Sequence, residues 1–170
     1  MYKKILRRFL IENDIELTDL EKSLIKHEGF KPKYYFCKKI KHFGIGRNAE
    51  ANKLSNKQNM IVCLGSTQQR VGLALKLLEE DIRTACNGVY RVFKDQFATF
   101  TRAQDNALIE MIFQMGIGSF KGNSKKKGFK KTIDFIKFGL WENARVEALD
   151  SEWARKFPKR ANEVVAGFIL

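Results

Sequence analysis

The residues best equipped for chemistry lie close together in the first third of the chain. His27-Glu28-Gly29-Phe30 is followed by Cys37, then by His42 and the turn Gly44-Ile45-Gly46-Arg47. A carboxylic acid and a thiol at this spacing can serve as a general acid and its counterpart, provided the chain folds back between them. Glycoside hydrolysis needs such a pair: one group protonates the leaving oxygen, and the other activates water or attacks the sugar from the far side. Glu28 falls in the last turn of an apolar-striped helix, where the negative end of the helix dipole suits a neutral acid better than an anion. A surface glutamate at a helix end is the bland reading of Glu28, and a small apolar strand residue is the bland reading of Cys37. Free cysteine is mostly thiol at neutral pH, and Lys38, Lys39, Lys41 and His42 supply the positive charge that favours the thiolate. His42 has three readings: a partner that deprotonates Cys37, a base or nucleophile in its own right, or a hydrogen-bonding stand-in for a hydroxyl, the last two preferred jointly because no amidase pattern accompanies a Cys-His dyad. No metal is expected from His27, Cys37 and His42, because His27 lies beside Glu28 on a different face of its helix, and no cofactor is called for.

Positioning these side chains falls to a helix and a hairpin. Thr18-x-x-Glu21 is a capping box, with Leu20, Leu24 and Ile25 at helical spacing, Gly29 as the stop and Pro32 barring continuation. From Lys33 to Arg47, aromatic and β-branched residues interleave with lysines, which predicts a β-hairpin with one wet face. Residues 48–66 read as the loop-rich end of a small lobe. Val71, Leu75, Leu78, Ile82, Cys86 and Val89 predict one long helix from Gln68 to about Phe93. Beyond it, helices are expected at Arg102 to Met115, near Lys130 to Phe138, at Glu142 to Leu149 and from Pro158 to Phe168, where Pro158 takes a first-turn position. The predicted architecture is α+β. A small hairpin lobe (about 29–66) is joined by the long helix (about 67–93) to a larger all-helical lobe (about 94–170, with helix 18–28), and residues 1–17 form a basic amphipathic extension, read as a solvated helix in preference to a membrane-touching one.

The 170 residues, 44% hydrophobic and 12% aromatic, suffice for a globular core. With 32 Lys and Arg against 19 Asp and Glu, the formal charge is +13, which predicts attraction to polyanions: nucleic acid, an anionic membrane face or an anionic bacterial envelope. The basic runs are Lys38-Lys39-x-Lys41 and Lys125-Lys126-Lys127 with Lys130-Lys131, read either as solvated surface or as salt-sensitive contacts to an envelope. Cys37, Cys63 and Cys86 give an odd number without C-x-x-C spacing, so neither a complete disulfide framework nor a zinc ribbon is indicated. Arg7 and Arg8 interrupt Ile5, Leu6, Phe9 and Leu10, so no signal-peptide core forms, and no apolar run is long enough to span a membrane.

Several segments taken in order carry a resemblance. Leu24-Ile25-Lys26-His27-Glu28-Gly29-Phe30, Tyr35-Phe36-Cys37 and Phe43-Gly44-Ile45-Gly46-Arg47-Asn48 resemble the phage-type lysozymes of glycoside hydrolase family 24. The likeness resumes at Leu78-Glu79-Glu80-Asp81-Ile82, at Met111-Ile112-Phe113-Gln114-Met115-Gly116 and from Asp150 to Ala161, and so covers nearly the whole chain from about residue 18. It implies a muramidase cutting peptidoglycan between N-acetylmuramic acid and N-acetylglucosamine, normally as an endolysin. The family acid matches Glu28, and the second catalytic residue, an Asp or in one branch a Cys, matches Cys37. A family Thr before the Gly-x-Gly turn is replaced here by His42, and the spacing from Cys37 to His42 is one residue shorter than usual, which implies a tighter hairpin.

The same resemblance implies that Gly44, Gly46, Gln114 and Trp153 meet substrate, although Trp153 reads equally as core. It implies that Arg160 pairs with the catalytic glutamate. Glu163, one turn later on the same face, would meet His27 in a pair with charges reversed from the family habit, and Arg47 would pair with Asp81 on the long helix. The expected partner is bacterial glycan, met by a monomer synthesised in the host cytoplasm and carried by a holin or another route to the wall it attacks in the periplasm. Two rivals stand beside this reading: a degenerate lysozyme fold that binds peptidoglycan without cutting it, and a basic nucleic-acid-binding protein. The second lacks any helix-turn-helix, RNP or zinc pattern, so no specific nucleic acid is expected.

Overall fold

The computed structural model describes residues 2–123 and 127–170. Contacts divide the chain into two compact units, residues 1–81 and 82–170.

The first unit opens with α1 (Tyr2–Glu12), whose Leu6 is buried and whose Ile5 and Phe9 line a crevice with Thr67, Gln68 and Val71. Its apolar stripe is thus turned toward protein, while Lys3, Lys4, Arg7 and Arg8 are exposed. α2 (Asp19–Glu28) begins at the expected box: the Thr18 side chain accepts from the Glu21 N–H, and the Glu21 carboxylate accepts from Thr18 N–H at 2.8 Å. Gly29 ends it in the left-handed region at φ 73°, donating its N–H to Ile25 O. The chain then forms an antiparallel sheet in the order β1 (Lys31–Cys37), β2 (Ile40–Gly44) and β3 (Arg47–Asn48). The turn between β1 and β2 is only Lys38-Lys39, both in the left-handed region at φ 49° and 69°, a conformation that two-residue hairpin turns require and that Asn-Gly accepts more readily. This tight turn sets the register Cys37↔Ile40, Phe36↔Lys41 and Tyr35↔His42.

One expectation is corrected in this unit. Residues 48–66 contain α3 (Asn56–Leu64), opened by a second capping box in which Ser55 accepts from Gln58 N–H and Gln58 accepts from Ser55 N–H. Its polar composition hid the helix, because only Val62 on it is fully buried. α4 (Thr67–Phe93) follows and runs from the first unit into the second.

Among the described residues, the second unit is helical apart from turns and a single bridge residue, Asn123. After a 3₁₀ turn (Lys94–Thr99) come α5 (Arg102–Met115), α6 (Ile117–Lys121), α7 (Lys130–Lys137), α8 (Trp141–Leu149), α9 (Glu152–Lys156) and α10 (Pro158–Ala166). Leu108, Met111, Ile136, Val165 and Phe168 are fully buried. Phe100 meets Phe93 and Trp141 edge-on, Trp141 meets Phe168, and Phe129 lies between Phe120 and Trp153. α6 and α9, one turn and a half each, fell within stretches that periodicity alone could not resolve. Of the second basic run, Lys127, Lys130 and Lys131 are exposed, whereas Lys125 and Lys126 lie outside the described residues.

Candidate active site

In the first unit, the end of α2 and the hairpin meet at Gly46. A Cβ built on Gly46 would stand 2.7 Å from Glu28 Oε2 and 3.0 Å from its Cγ, so the half-buried Glu28 side chain lies directly on the glycine backbone. Gly46 also has φ 70°, which glycine alone adopts without strain. Gly44 serves another contact: its Cβ would stand 3.0 Å from Ala74 Cβ, so β2 closes tightly on α4.

Pleating decides which side chains share a face of the hairpin. Phe43, fully buried, and Tyr34, which meets it edge-on at 6.0 Å, occupy one face. Tyr35, Cys37 and His42 occupy the other. The Tyr35 and His42 rings stack at 5.5 Å with 26° between planes, and Lys31 Nζ lies 4.3 Å from the Tyr35 ring centre. Burial pushes the Tyr35 phenol up; negative charge on Glu28 adds to this, a hydrogen bond from the Gly46 backbone N–H opposes it, and Cys37 adds a smaller upward push. Tyr35 therefore feels both the carboxylate on α2 and the thiol of the hairpin, and its ring stacks on the imidazole. Cys37 itself is exposed at the strand end.

His42 Nδ1 lies 2.9 Å from the carbonyl oxygen of Ile40. A carbonyl only accepts, so Nδ1 carries the proton and Nε2 of the neutral ring keeps a lone pair. Such an imidazole can accept a proton from water or from a thiol.

Arg47 Nη1 donates to Asp81 Oδ1, and Arg47 Nη2 lies 4.0 Å from Glu80 Oε2. Burial raises the Asp81 carboxyl above its ordinary value although the guanidinium pulls it down. The hairpin is thereby fastened to α4 on the side away from the turn.

The remaining predicted residues belong to the second unit. Trp153 Nε1 donates to Gln114 Oε1 at 2.7 Å, and Trp153 is buried against Phe129. Arg160 Nη2 lies 3.7 Å from Glu110 Oε2, with side chains 10% and 6% exposed, while Glu163 is exposed on α10. His27 is half-buried beside Glu28 in the first unit. Tyr35 and Glu110 were missed by sequence reasoning. Tyr35 was available from period-two spacing to Cys37, and Glu110 from being the one charge within Leu108-Ile109-Glu110-Met111-Ile112, since a carboxylate on a core stripe demands a partner.

A helix ending in a glutamate, a short antiparallel sheet and a long helix leading into a helical unit make this an α+β fold of the lysozyme-like class. The profile of the phage lysozyme family matches residues 25–163, and the chain belongs to that family. It is similar to a protein of Dictyostelium discoideum described as probable T4-type lysozyme 2, with 30% identity over 99 residues. That similarity covers 54% of this chain and 52% of the relative, so the chain spans about half the length of the curated protein it matches.

Proposed function

We propose that the protein is a muramidase that hydrolyses the β-1,4 bond between N-acetylmuramic acid and N-acetylglucosamine in bacterial peptidoglycan. Glu28 is the general acid, Cys37 the base or nucleophile, and His42 the group that assists it. The observation that carries this reading is the seating of Glu28 on Gly46, next to the hairpin face that bears Tyr35, Cys37 and His42. An acid fixed on one element and proton-accepting groups on another give the two-sided attack that glycosidic cleavage requires. Gln114 and Trp153 are proposed to meet the sugar rings on the strength of the family resemblance, and the exposed lysines of the hairpin turn to touch the anionic envelope. The protein acts as a monomer on the periplasmic wall of its host after passage by a holin or another route; among the described residues, no helix is long and apolar enough to cross a membrane.

Turbidity loss and mass analysis of the sugar ends released from purified sacculi test this reading. Glu28→Gln keeps the shape but has no proton to deliver, so cleavage is abolished in a folded variant. Cys37→Ser loses most activity, and Cys37→Asp keeps it, because either thiolate or carboxylate supplies an anion on that strand. Sacculus binding without release of sugar ends by the wild type would replace hydrolysis with a degenerate, binding-only fold.

A further inference from the structure

The face of the hairpin away from Cys37 and His42 ends in exposed apolar side chains. Strand alternation puts Phe36 on the face that carries Tyr34 and Phe43, with Lys41 as its cross-strand partner. Phe43 is fully buried, yet Phe36, nearer the turn, is 70% exposed. α3 packs on β1 from that side, where the Tyr34 hydroxyl donates to Asn59 Oδ1. Helical spacing places Lys57, Met60 and Leu64 together on the outward arc of α3 beside that link, and Met60 and Leu64 are 63% and 80% exposed. Single exposed apolar side chains are ordinary, but three large ones on two elements that pack together make a surface suited to a partner.

The charge around this surface identifies the partner. From Lys31 to Ser66 the chain carries seven lysines and one arginine, and Glu50 is the single acid. Glu50 is itself engaged, accepting the Lys41 backbone N–H at 3.0 Å. Lys33, Lys38, Lys39 and Lys57 are exposed, and none has a carboxylate partner among the described residues. Cations alone fit any polyanion, but Phe36, Met60 and Leu64 gain nothing from a phosphate backbone. An anionic bilayer meets both needs: acyl chains take the apolar groups, headgroup phosphates take the ammonium groups, and the lysine stems reach from one to the other. We propose that Phe36, Met60 and Leu64, rimmed by Lys38, Lys39 and Lys57, form a docking surface for an anionic lipid bilayer. Tyr35, Cys37 and His42 lie on the opposite face of the sheet, so docking does not cover them. The inference deepens the envelope contact proposed above for the turn lysines and rests on that reading.

Its test needs no glycan cleavage. The full chain should co-sediment with vesicles of mixed phosphatidylglycerol and phosphatidylcholine, and far less with phosphatidylcholine alone, the difference shrinking in high salt. Met60→Ser with Leu64→Ser, at two exposed positions of α3, should lower partitioning onto the anionic vesicles by about tenfold or more, because the apolar area is lost and the charge is kept. The same variant should retain its helix content by circular dichroism and its release of sugar ends from purified sacculi, which hold no lipid. Lys38→Asn with Lys39→Gly suits the left-handed turn while removing its charge, and should weaken binding to anionic vesicles. Inorganic polyphosphate, a polyanion without an acyl interior, should bind wild type and the serine variant alike. Absence of binding to anionic vesicles, or equal binding to neutral ones, overturns the proposal. A folded serine variant that binds anionic vesicles as wild type does also overturns it, leaving a contact made by charge alone. If vesicles bind while sacculi release no sugar ends, the muramidase reading fails by itself and the docking surface stands.

Discussion

The carboxylate of Glu28 rests on the backbone of Gly46, with no room for a methyl group between them: a Cβ there would stand 2.7 Å from Oε2 and 3.1 Å from the glutamate Cβ. A glycine in a Gly-x-Gly turn is usually explained by its backbone angles, and Gly46 at φ 70° needs that freedom. The contact adds a second demand, which links the turn to the acid proposed at Glu28.

Gly46→Ala is therefore expected to injure catalysis more than folding. The alanine pushes the carboxylate aside, and a displacement near 1 Å in a reacting group costs about a hundredfold in rate. Left-handed backbone costs alanine about 1 kcal/mol in stability. Gly44→Ala is the contrasting variant: with φ 65° and a Cβ only 3.0 Å from Ala74 Cβ, it strains the closure of β2 on α4, so its loss of stability should exceed that of Gly46→Ala and its loss of rate should be the smaller of the two. Urea unfolding and initial rates on both variants check the contrast, and equal rate losses would sink it.

Arg47 and Asp81 set the stability of the same unit, with side chains 12% and 19% exposed. Burial holds the Asp81 carboxyl above its usual value even beside the guanidinium, so the charge is tolerated only because Arg47 is there. Arg47→Met should cost about 3 kcal/mol, the cost of stranding one partner of a buried pair. Arg47→Met with Asp81→Leu should recover most of it, since neither charge is then buried. The loss in the single variant should shrink in acid, because a raised carboxyl favours the folded state below its ordinary value and that benefit fades as pH rises through the folded one. Urea midpoints for the single and double variants at neutral and acid pH decide it, and a double variant no more stable than the single would contradict the account.

How much of this was legible in the sequence varied with the physics involved. α2 was readable because its signals are local: a capping box at Thr18 and Glu21, apolar spacing, and Gly29 as terminator. The hairpin and α4 were readable from periodicity. α3 was not, although Ser55 and Gln58 form the same box, because its helix buries so little that no apolar stripe announces it. The Lys38-Lys39 turn was not either, since lysine is an unusual choice for two successive left-handed residues and only the register of the paired strands demands it. At the site, Glu28, Cys37 and His42 stood out by type. Tyr35 did not, because an aromatic residue on a strand is ordinary until its ring is seen to stack on His42.

Asp105 on α5 offers a test of the second unit. Burial raises its carboxyl to about 6, and its Oδ1 is buried with no hydrogen-bond partner. Because the folded value exceeds the ordinary 3.8, the neutral acid favours folding below that value, and the benefit is lost as pH rises through about 6. At neutral pH the protein carries a poorly solvated anion beside Cys86, whose thiol is pushed up by burial and then by Asp105. Asp105→Asn should therefore stabilise the protein at pH 7 by about 1 kcal/mol, allowing for the solvent that still reaches the group. The gain should vanish below about pH 4, where Asp105 is protonated in both states. Thermal unfolding of both proteins across that range checks it, and a gain independent of pH would contradict the assignment.

The last prediction concerns the face of the sugar that is attacked. Two groups on the hairpin could act there, and they lead to opposite anomers. If Cys37 draws a proton from water and His42 orders that water, the water enters opposite the departing β-linked oxygen and the first product is the α-anomer. If His42 attacks through Nε2, a glycosyl-imidazole forms, water displaces it in a second step, and the product is β. The structure supplies an argument for each side. The Ile40 carbonyl fixes the proton on Nδ1, which leaves Nε2 with the lone pair a nucleophile needs, and the two-residue turn sets the imidazole opposite Tyr35. That same pairing confines the ring between a stacked phenol and a backbone hydrogen bond, where it can receive a proton from water but cannot easily swing forward to reach carbon. We therefore expect inversion. Proton NMR of sugar ends taken before mutarotation should show the α-anomer first, and His42→Thr should keep that anomer, because a hydroxyl can also hold the water. A β-anomer formed first by the wild type, lost in His42→Thr, would assign the nucleophile to His42 and reduce Cys37 to an accessory.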